Sequence, residues 1–368
     1  VARATKAIVA ELFADVAQNP DDDEIRQVLA DALLERGDPR GEFIMLQLSD
    51  GDPKRVRELL AEHAVEWLGP LAPLVRSRED WRHYRFARGF PVAIRLVGAS
   101  RGHPHSPALS RAIKRSVGAS TWSTVTDLSI GVLRALPSEL LRDPAMRSLE
   151  YLGGIGRERL HELLAWDRVP YRTLNVYIAE PRYDDRLRRV DVAAIIDAKP
   201  KLAALRTLEL GCYEESGLEP SAFRWIWKSW LGSQLECFGV DCGLGRLAAW
   251  LRELAKYSPD LDVVKLSEGN MWSEWVELTR DDRGRFSVAS VRATDPFSRF
   301  HDTTKVLPAA ISSLQRGALT QLRFVGSAPM PRQLAAIQAA AMQAKIPLEL
   351  PSPSPGSRRS ARRRPAGS

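Results

Sequence analysis

Cysteine is scarce in this 368-residue chain, with Cys212, Cys237 and Cys242 the whole supply. Three thiols are too few for a disulfide framework and leave at least one unpaired. Cys237 and Cys242 lack the C-x-x-C spacing, and no histidine nearby completes a zinc set, so the three read as buried structural thiols. Long apolar runs are missing too. None approaches the roughly 18–20 residues that a membrane helix needs. Glu11 and Asp15 interrupt the apolar positions near the N-terminus, which a secretory signal would not allow. These absences together predict a cytoplasmic chain with no membrane partner. Catalytic signatures are absent as well: there is no G-x-S-x-G elbow, Walker loop, H-E-x-x-H or dinucleotide fingerprint. The two glycines of "DCGLG" (241–245) are a very weak phosphate-loop signal, and nothing places His161 or His301 beside a thiol. The expectation is a non-enzymatic chain without cofactor or metal, with an unrecognised enzyme as the remote alternative.

What is present begins with charge. The net charge of +7 is unevenly spread, because the tail "SRRSARRRP" carries Arg358, Arg359, Arg362, Arg363 and Arg364 with no acid beside them. Removing those five leaves +2 for everything before the tail. The body therefore gives no general reason to expect a phosphate-binding surface. The tail, residues 351–368, has almost no apolar side chains and is expected to be disordered, with weak nucleic-acid contact through its arginines as a possible partner mode.

The first hundred residues read as helices. In "PDDDEIRQVLADALLERG", Asp21 and Glu24 stand at capping-box spacing, and the acids lie where a helix dipole favours them. Ile25, Val28, Leu29, Ala32 and Leu33 then recur as one apolar helical face. Gly37 is a natural stop, since it reaches the left-handed conformation without steric cost. Asp38 can cap the next helix, and Pro39 suits its first turn. Gly41 is odd so early in a helix and is explained by close approach to the preceding one, with Phe43, Ile44, Leu46 and Leu48 buried. Arg36, Asp38, Arg40 and Glu42 complete a polar corner. They either pair with one another and with helix ends or form a docking point. Val56, Leu59, Leu60, His63, Ala64 and Trp67 mark a further helix, with His63 an interior histidine, and "FARGFPVAIRLVG" reads as a turn and a short strand.

"NPDDDEIRQVLADALLERGDPRGEFIMLQ", "EWLGPLAPL" and "RFARGFPVAIRL", in that order, resemble the bacterial repeat-companion domain over roughly residues 5–97. The family's usual "YADWLEERGD" is here "LADALLERGD", without the aromatic residues. The resemblance implies a helical domain that precedes a repeat array, often of leucine-rich repeats, and implies no enzymatic activity.

Residues 98–121 are rich in Gly, Ser and Pro and read as a linker with one short helix at most; His103 and His105 are loop residues there. From 122 to 350 a pattern recurs: apolar, two residues, apolar, one residue, apolar. It falls on Val125, Leu128, Ile130; Met146, Leu149, Tyr151; Tyr171, Leu174, Val176; Leu205, Leu208, Leu210; Leu235, Phe238, Val240; Leu261, Val264, Leu266; and Leu319, Leu322, Phe324. The intervals of 21, 25, 34, 30, 26 and 58 mostly suit strand-plus-helix units. Leu247, Trp250, Leu251 and Leu254 share one helical face, as do Leu307, Ala310, Ile311 and Leu314. The pattern resembles leucine-rich repeats of the longer, helix-containing sort, in degenerate form.

The expected fold class is therefore α/β, with an N-terminal helical domain (1–97) followed by a leucine-rich-repeat solenoid of strand-plus-helix units (122–350). The interval of 58 holds "EWVELTRDDRGRFSVASV" (274–291), whose alternation about Asp282-Arg283-Gly284 predicts an inserted β-hairpin. In "FRWIWKSW" (223–230), Phe223, Trp227 and Trp230 share one helical face and read as core, whereas Trp225 is the candidate exposed anchor. Arg172, Asn175, Tyr177, Arg206, Glu209, Lys265, Gln321 and Arg323, lying between the apolar anchors, are expected to point outward as a mixed protein-binding surface. An interaction or scaffold protein with an unidentified protein partner is the leading reading, and nucleic-acid association through the tail is the alternative.

Overall fold

Asp22 starts the second helix: its carboxylate accepts the amide hydrogens of Glu24 at 2.9 Å and Ile25 at 3.2 Å. The cap thus lies one residue later than Asp21, where the sequence spacing put it. In this computed structural model the described residues are 2–75, 83–96, 107–130, 138–179, 192–212, 220–241, 244–257, 260–267, 274–293, 303–325 and 331–351. The chain divides into two units, Val1–Leu210 and Gly211–Ser368.

The first unit opens with four helices: α1 (Ala2–Gln18), α2 (Asp23–Leu34), α3 (Pro39–Leu48) and α4 (Pro53–Leu68). Val9, Val16, Leu29, Ala30, Leu33 and Ile44 form their core together with Phe90. The face that α2 buries is turned from the expected one. Arg26 is 1% exposed, whereas Val28 is 54% exposed. The guanidinium is tolerated inside because it donates to the Asp22 carbonyl at 3.1 Å and lies over the Phe90 ring at 5.4 Å. His63 is partly buried and stacks on Trp67 with ring centroids 5.2 Å apart.

Strands β1 (Tyr84–Ala87) and β2 (Phe90–Arg95) form an antiparallel hairpin. Both turn residues are left-handed, Arg88 at φ 53° and Gly89 at φ 83°, as the tight two-residue turn of a twisted hairpin requires. β2 then pairs in parallel with β3 (Asp127–Ser129). The segment expected to separate two domains at 98–121 therefore does not do so. Its described part contains α5 (Pro107–Ser116), which buries Leu109, Ala112 and Ile113. Trp122 is fully buried, and its indole nitrogen donates to the Ser116 carbonyl at 2.9 Å. His103 and His105 lie outside the described residues.

The unit continues through α6 (Ser138–Leu141), β4 (Tyr151–Ile155), α7 (Arg157–Leu164), β5 (Thr173–Ala179), α8 (192–197) and β6 (Thr207–Cys212), whose last two residues fall past the boundary at Leu210. Its strands hydrogen-bond in sequence order. Leu128 pairs with Leu152, and Leu152 with Leu174. The second copy of the apolar pattern is thus Leu149 and Leu152, not Met146, Leu149 and Tyr151. A register shift between Leu152 and Ile155, with Gly154 at φ 76°, breaks the alternation there and hides the correct phase.

The second unit contains α9 (Arg224–Trp227), α10 (Leu231–Gln234), β7 (Cys237–Asp241), α11 (Leu247–Tyr257), β8 (Val263–Ser267), β9 (Glu274–Arg280), β10 (Phe286–Ala293), α12 (Thr303–Ser312), β11 (Gln321–Val325), α13 (Pro331–Ala344) and β12 (Leu348–Glu349). Its strands again follow sequence order. β7 and β8 are parallel, β9 is antiparallel to both neighbours, and β10, β11 and β12 are parallel. The expected hairpin exists, and its two strands are full members of the sheet. The protein is α/β. Every residue of the recurring apolar pattern is buried except Tyr151. Leu247, Trp250, Leu251 and Leu254 are buried on α11 as expected, as are Leu307, Ala310 and Ile311 on α12, with Leu314 partly covered. Cys237 is buried and free, whereas the side chains of Cys212 and Cys242 lie outside the described residues. Among the described residues no helix is long and apolar enough to cross a membrane, and no cluster of three or more His, Cys, Asp or Glu side chains could hold a metal.

Candidate functional site

Successive side chains of a strand point to opposite faces, so the apolar anchors of the second unit dictate which residues share its other face. With Val264 and Leu266 in the core, Lys265 points away from it. Register then fixes a row across six strands: Gly239, Lys265, Glu277, Ser290, Arg323 and Glu349. A second row brings Asp241 beside Ser267 and Trp275 beside Arg292. The face is held by its own polar contacts. Arg292 forms an ion pair with Glu277, and the Lys265 ammonium sits 3.9 Å from the centre of the Trp275 ring. Gln321 donates to Glu349 at 2.7 Å and accepts from Arg323 at 2.6 Å. Ser267 Oγ, Trp275 Nε1 and Arg323 Nε are buried with no hydrogen-bond partner. An unmatched buried donor of this kind typically costs about 1–3 kcal/mol.

Of the residues predicted to point outward, Lys265, Gln321 and Arg323 therefore meet on one face. Asn175 and Glu209 do not belong to an exposed surface, and this corrects the expectation. They are 1% and 2% exposed. Asn175 accepts from the Gly154 amide at 3.4 Å and donates to Glu209 at 3.1 Å, which supplies the carboxylate with a partner inside the first unit. Arg172 is exposed, and Arg206 donates to the carbonyls of Ala203 at 3.0 Å and Leu205 at 2.9 Å. The side chain of Tyr177 lies outside the described residues. Sequence reading missed Asp241, Trp275, Glu277, Arg292 and Glu349. The signal for two of them, Trp275 and Glu277, was available in the alternation of 274–291, once that hairpin is laid into the sheet.

The corner at 36–42 is a joint. Gly37 adopts φ 69° and Asp38 caps α3 through the Arg40 amide at 2.9 Å, with Pro39 as its first residue. A Cβ on Gly41 would lie 2.6 Å from the Ala30 carbonyl and 2.8 Å from the Leu34 amide nitrogen, which is the close approach inferred from sequence. Arg36 is exposed. The Arg40 guanidinium lies over both Phe13 at 4.9 Å and Phe90 at 4.8 Å, and burial lowers its pKa to about 10. Glu42 accepts two hydrogen bonds from Arg55, at 2.6 and 2.7 Å, which hold its carboxyl below the usual range. The joint also grips the β1–β2 turn. The Gly89 amide donates to Gln47 Oε1 at 2.8 Å, and Gln47 Nε2 donates to the Phe86 carbonyl at 3.2 Å. Two motifs some forty residues apart, "GDPRGEFIMLQ" and "FARGF", are thus one contact.

Trp225 is half-buried, while Phe223, Ile226 and Trp227 are in the core and Trp230 is only partly covered. Trp227 meets Phe238 with centroids 4.8 Å apart, and Phe223 meets Trp250 at 5.4 Å. No family model matches the chain, and comparison with curated proteins and with solved structures finds no match either.

Proposed function

We propose that this chain is a non-catalytic interaction protein of the cytoplasm. In this reading a repeat-companion-like domain leads into an array akin to leucine-rich repeats, and the polar sheet face of the second unit receives a protein partner. The observation that carries it is the cross-strand row in which Lys265, Glu277, Arg323 and Glu349 alternate in sign. Such a row repels an unbroken polyanion about as much as it attracts one, whereas a folded protein surface can match it charge for charge. Trp275, packed against Lys265, adds the kind of aromatic side chain that anchors interfaces.

The test is affinity capture on the immobilised full chain. Lys265→Glu combined with Arg323→Glu is expected to lose a defined subset of captured proteins. Arg283→Glu, at the exposed hairpin tip, is expected to keep them. Identical captured sets from all three chains would sink the proposal.

A further inference from the structure

A second charged cluster lies on the helices of the second unit, built by other residues than the sheet face. Three cations converge on the ring of Tyr257: Arg224 at 5.6 Å, Lys228 at 5.7 Å and Lys256 at 5.5 Å from its centroid. One carboxylate answers them. Glu253 binds the Arg224 guanidinium through two hydrogen bonds, at 2.9 and 2.6 Å. Lys228 and Lys256 are exposed and form no ion pair among the described residues. The cluster therefore gathers three cations about one aromatic ring, with the single carboxylate of Glu253 bound to Arg224 and near Lys256. Like charges so placed repel one another, and an anion seated between them relieves that repulsion.

We propose that this cluster is a docking point for an acidic peptide segment of a protein partner, with Lys228 and Lys256 receiving its carboxylates. Charge complementarity selects an anion, and geometry selects among anions. Single-stranded nucleic acid needs aromatic faces free for bases and a track of cations along the backbone. Here the Tyr257 ring is already engaged by cations, and the positive charge is gathered at one focus with Glu253 inside it. A short stretch of glutamates matches a focus of that size.

The test measures fluorescence polarisation of a labelled ten-residue oligoglutamate against the full chain at low salt, with labelled oligothymidylate as the competing probe. Arg358, Arg359, Arg362, Arg363 and Arg364 are replaced by alanine in every protein used, so that the tail does not contribute. Lys228→Glu with Lys256→Glu is expected to weaken oligoglutamate binding roughly tenfold, and Lys228→Gln with Lys256→Gln by a smaller factor. Arg283→Glu is expected to leave binding unchanged. Equal loss in the Arg283 variant would reduce the effect to net charge and overturn the site, as would no loss in either lysine pair. Tighter binding of oligothymidylate that is lost in the same lysine variants would assign the cluster to nucleic acid instead. None of these outcomes touches Lys265 or Arg323, so the sheet-face proposal stands or falls separately.

Discussion

Gly37 and Gly41 each require glycine, for two different physical reasons. At Gly41 the preceding helix is too close for a methyl group, so Gly41→Ala is expected to destabilise the protein by roughly 1–3 kcal/mol through overpacking. Gly37 has open space around it, and only its left-handed backbone resists substitution, so Gly37→Ala should cost about 1 kcal/mol. Urea denaturation of the two variants measures both; equal effects of less than about 0.5 kcal/mol would contradict the joint described above. Arg40 differs from its sequence reading. The sequence makes it a partner of its corner neighbours and helix ends or a docking point, yet it bridges two phenylalanine rings and donates to the Gly89 carbonyl. Arg40→Ala is therefore expected to lose about 1–2 kcal/mol, and Arg40→Lys to recover only part, because an ammonium lacks the planar surface that stacks. The caps and stops of this corner were legible because each depends on a residue and its immediate neighbours. The burial of Arg26 and Arg40 was not, since it depends on Phe13 and Phe90, which arrive from other elements.

Among elements, the β9–β10 hairpin makes the sharpest prediction. The Asp281 carboxylate accepts the amides of Arg283 at 2.9 Å and Arg285 at 3.0 Å, the Ser287 hydroxyl at 2.8 Å and the Arg285 side chain. These bonds, led by the Arg285 amide, hold its pKa well below the ordinary carboxylate range. The folded value lies below the unfolded one of about 3.9, so the stabilisation is complete above that pH and is lost as pH falls through the folded value. The melting temperature of the wild type should therefore drop more steeply below about pH 4 than that of Asp281→Asn. At neutral pH the variant should be the less stable. Parallel melting curves for the two proteins from pH 7 to pH 2 would refute the assignment. The hairpin itself was visible from sequence because alternation survives in both strands. The register of β4 was not, because the irregularity at Gly153 and Gly154 interrupts the period on which such reading depends. Asn175 and Glu209 were misplaced for a related reason: period tells which face a side chain takes, and says nothing of what covers that face.

For the whole chain, the position of the break between units changes which fragment should fold. Pairing of β2 with β3 means that residues 1–97 alone would leave β2 with an unsatisfied edge, and Leu96 without the Ser129 carbonyl its amide uses at 2.9 Å. A fragment 1–97 is expected to lack a cooperative thermal transition, whereas 1–212 should keep one; circular dichroism decides between them. Cooperative melting of the shorter piece would restore the boundary that composition suggested. The arginine tail is tested at the same scale. Nucleic-acid binding by the full chain should be weak, fall steeply with added salt and vanish when the five tail arginines become alanine. Salt-resistant binding that survives those replacements would displace the protein-binding proposal. The hairpin carries one more consequence, which is a matter of parity. Two antiparallel strands inserted between β8 and β11 reverse the chain direction twice, so β10 presents to β11 the same polarity that β8 would. An insert with an even number of strands leaves every later repeat facing as it did before, while an odd one would invert them all. Excising 274–293 and closing the gap should thus yield a shorter sheet of unchanged sense, which makes this segment the natural cassette for lengthening or trimming the molecule.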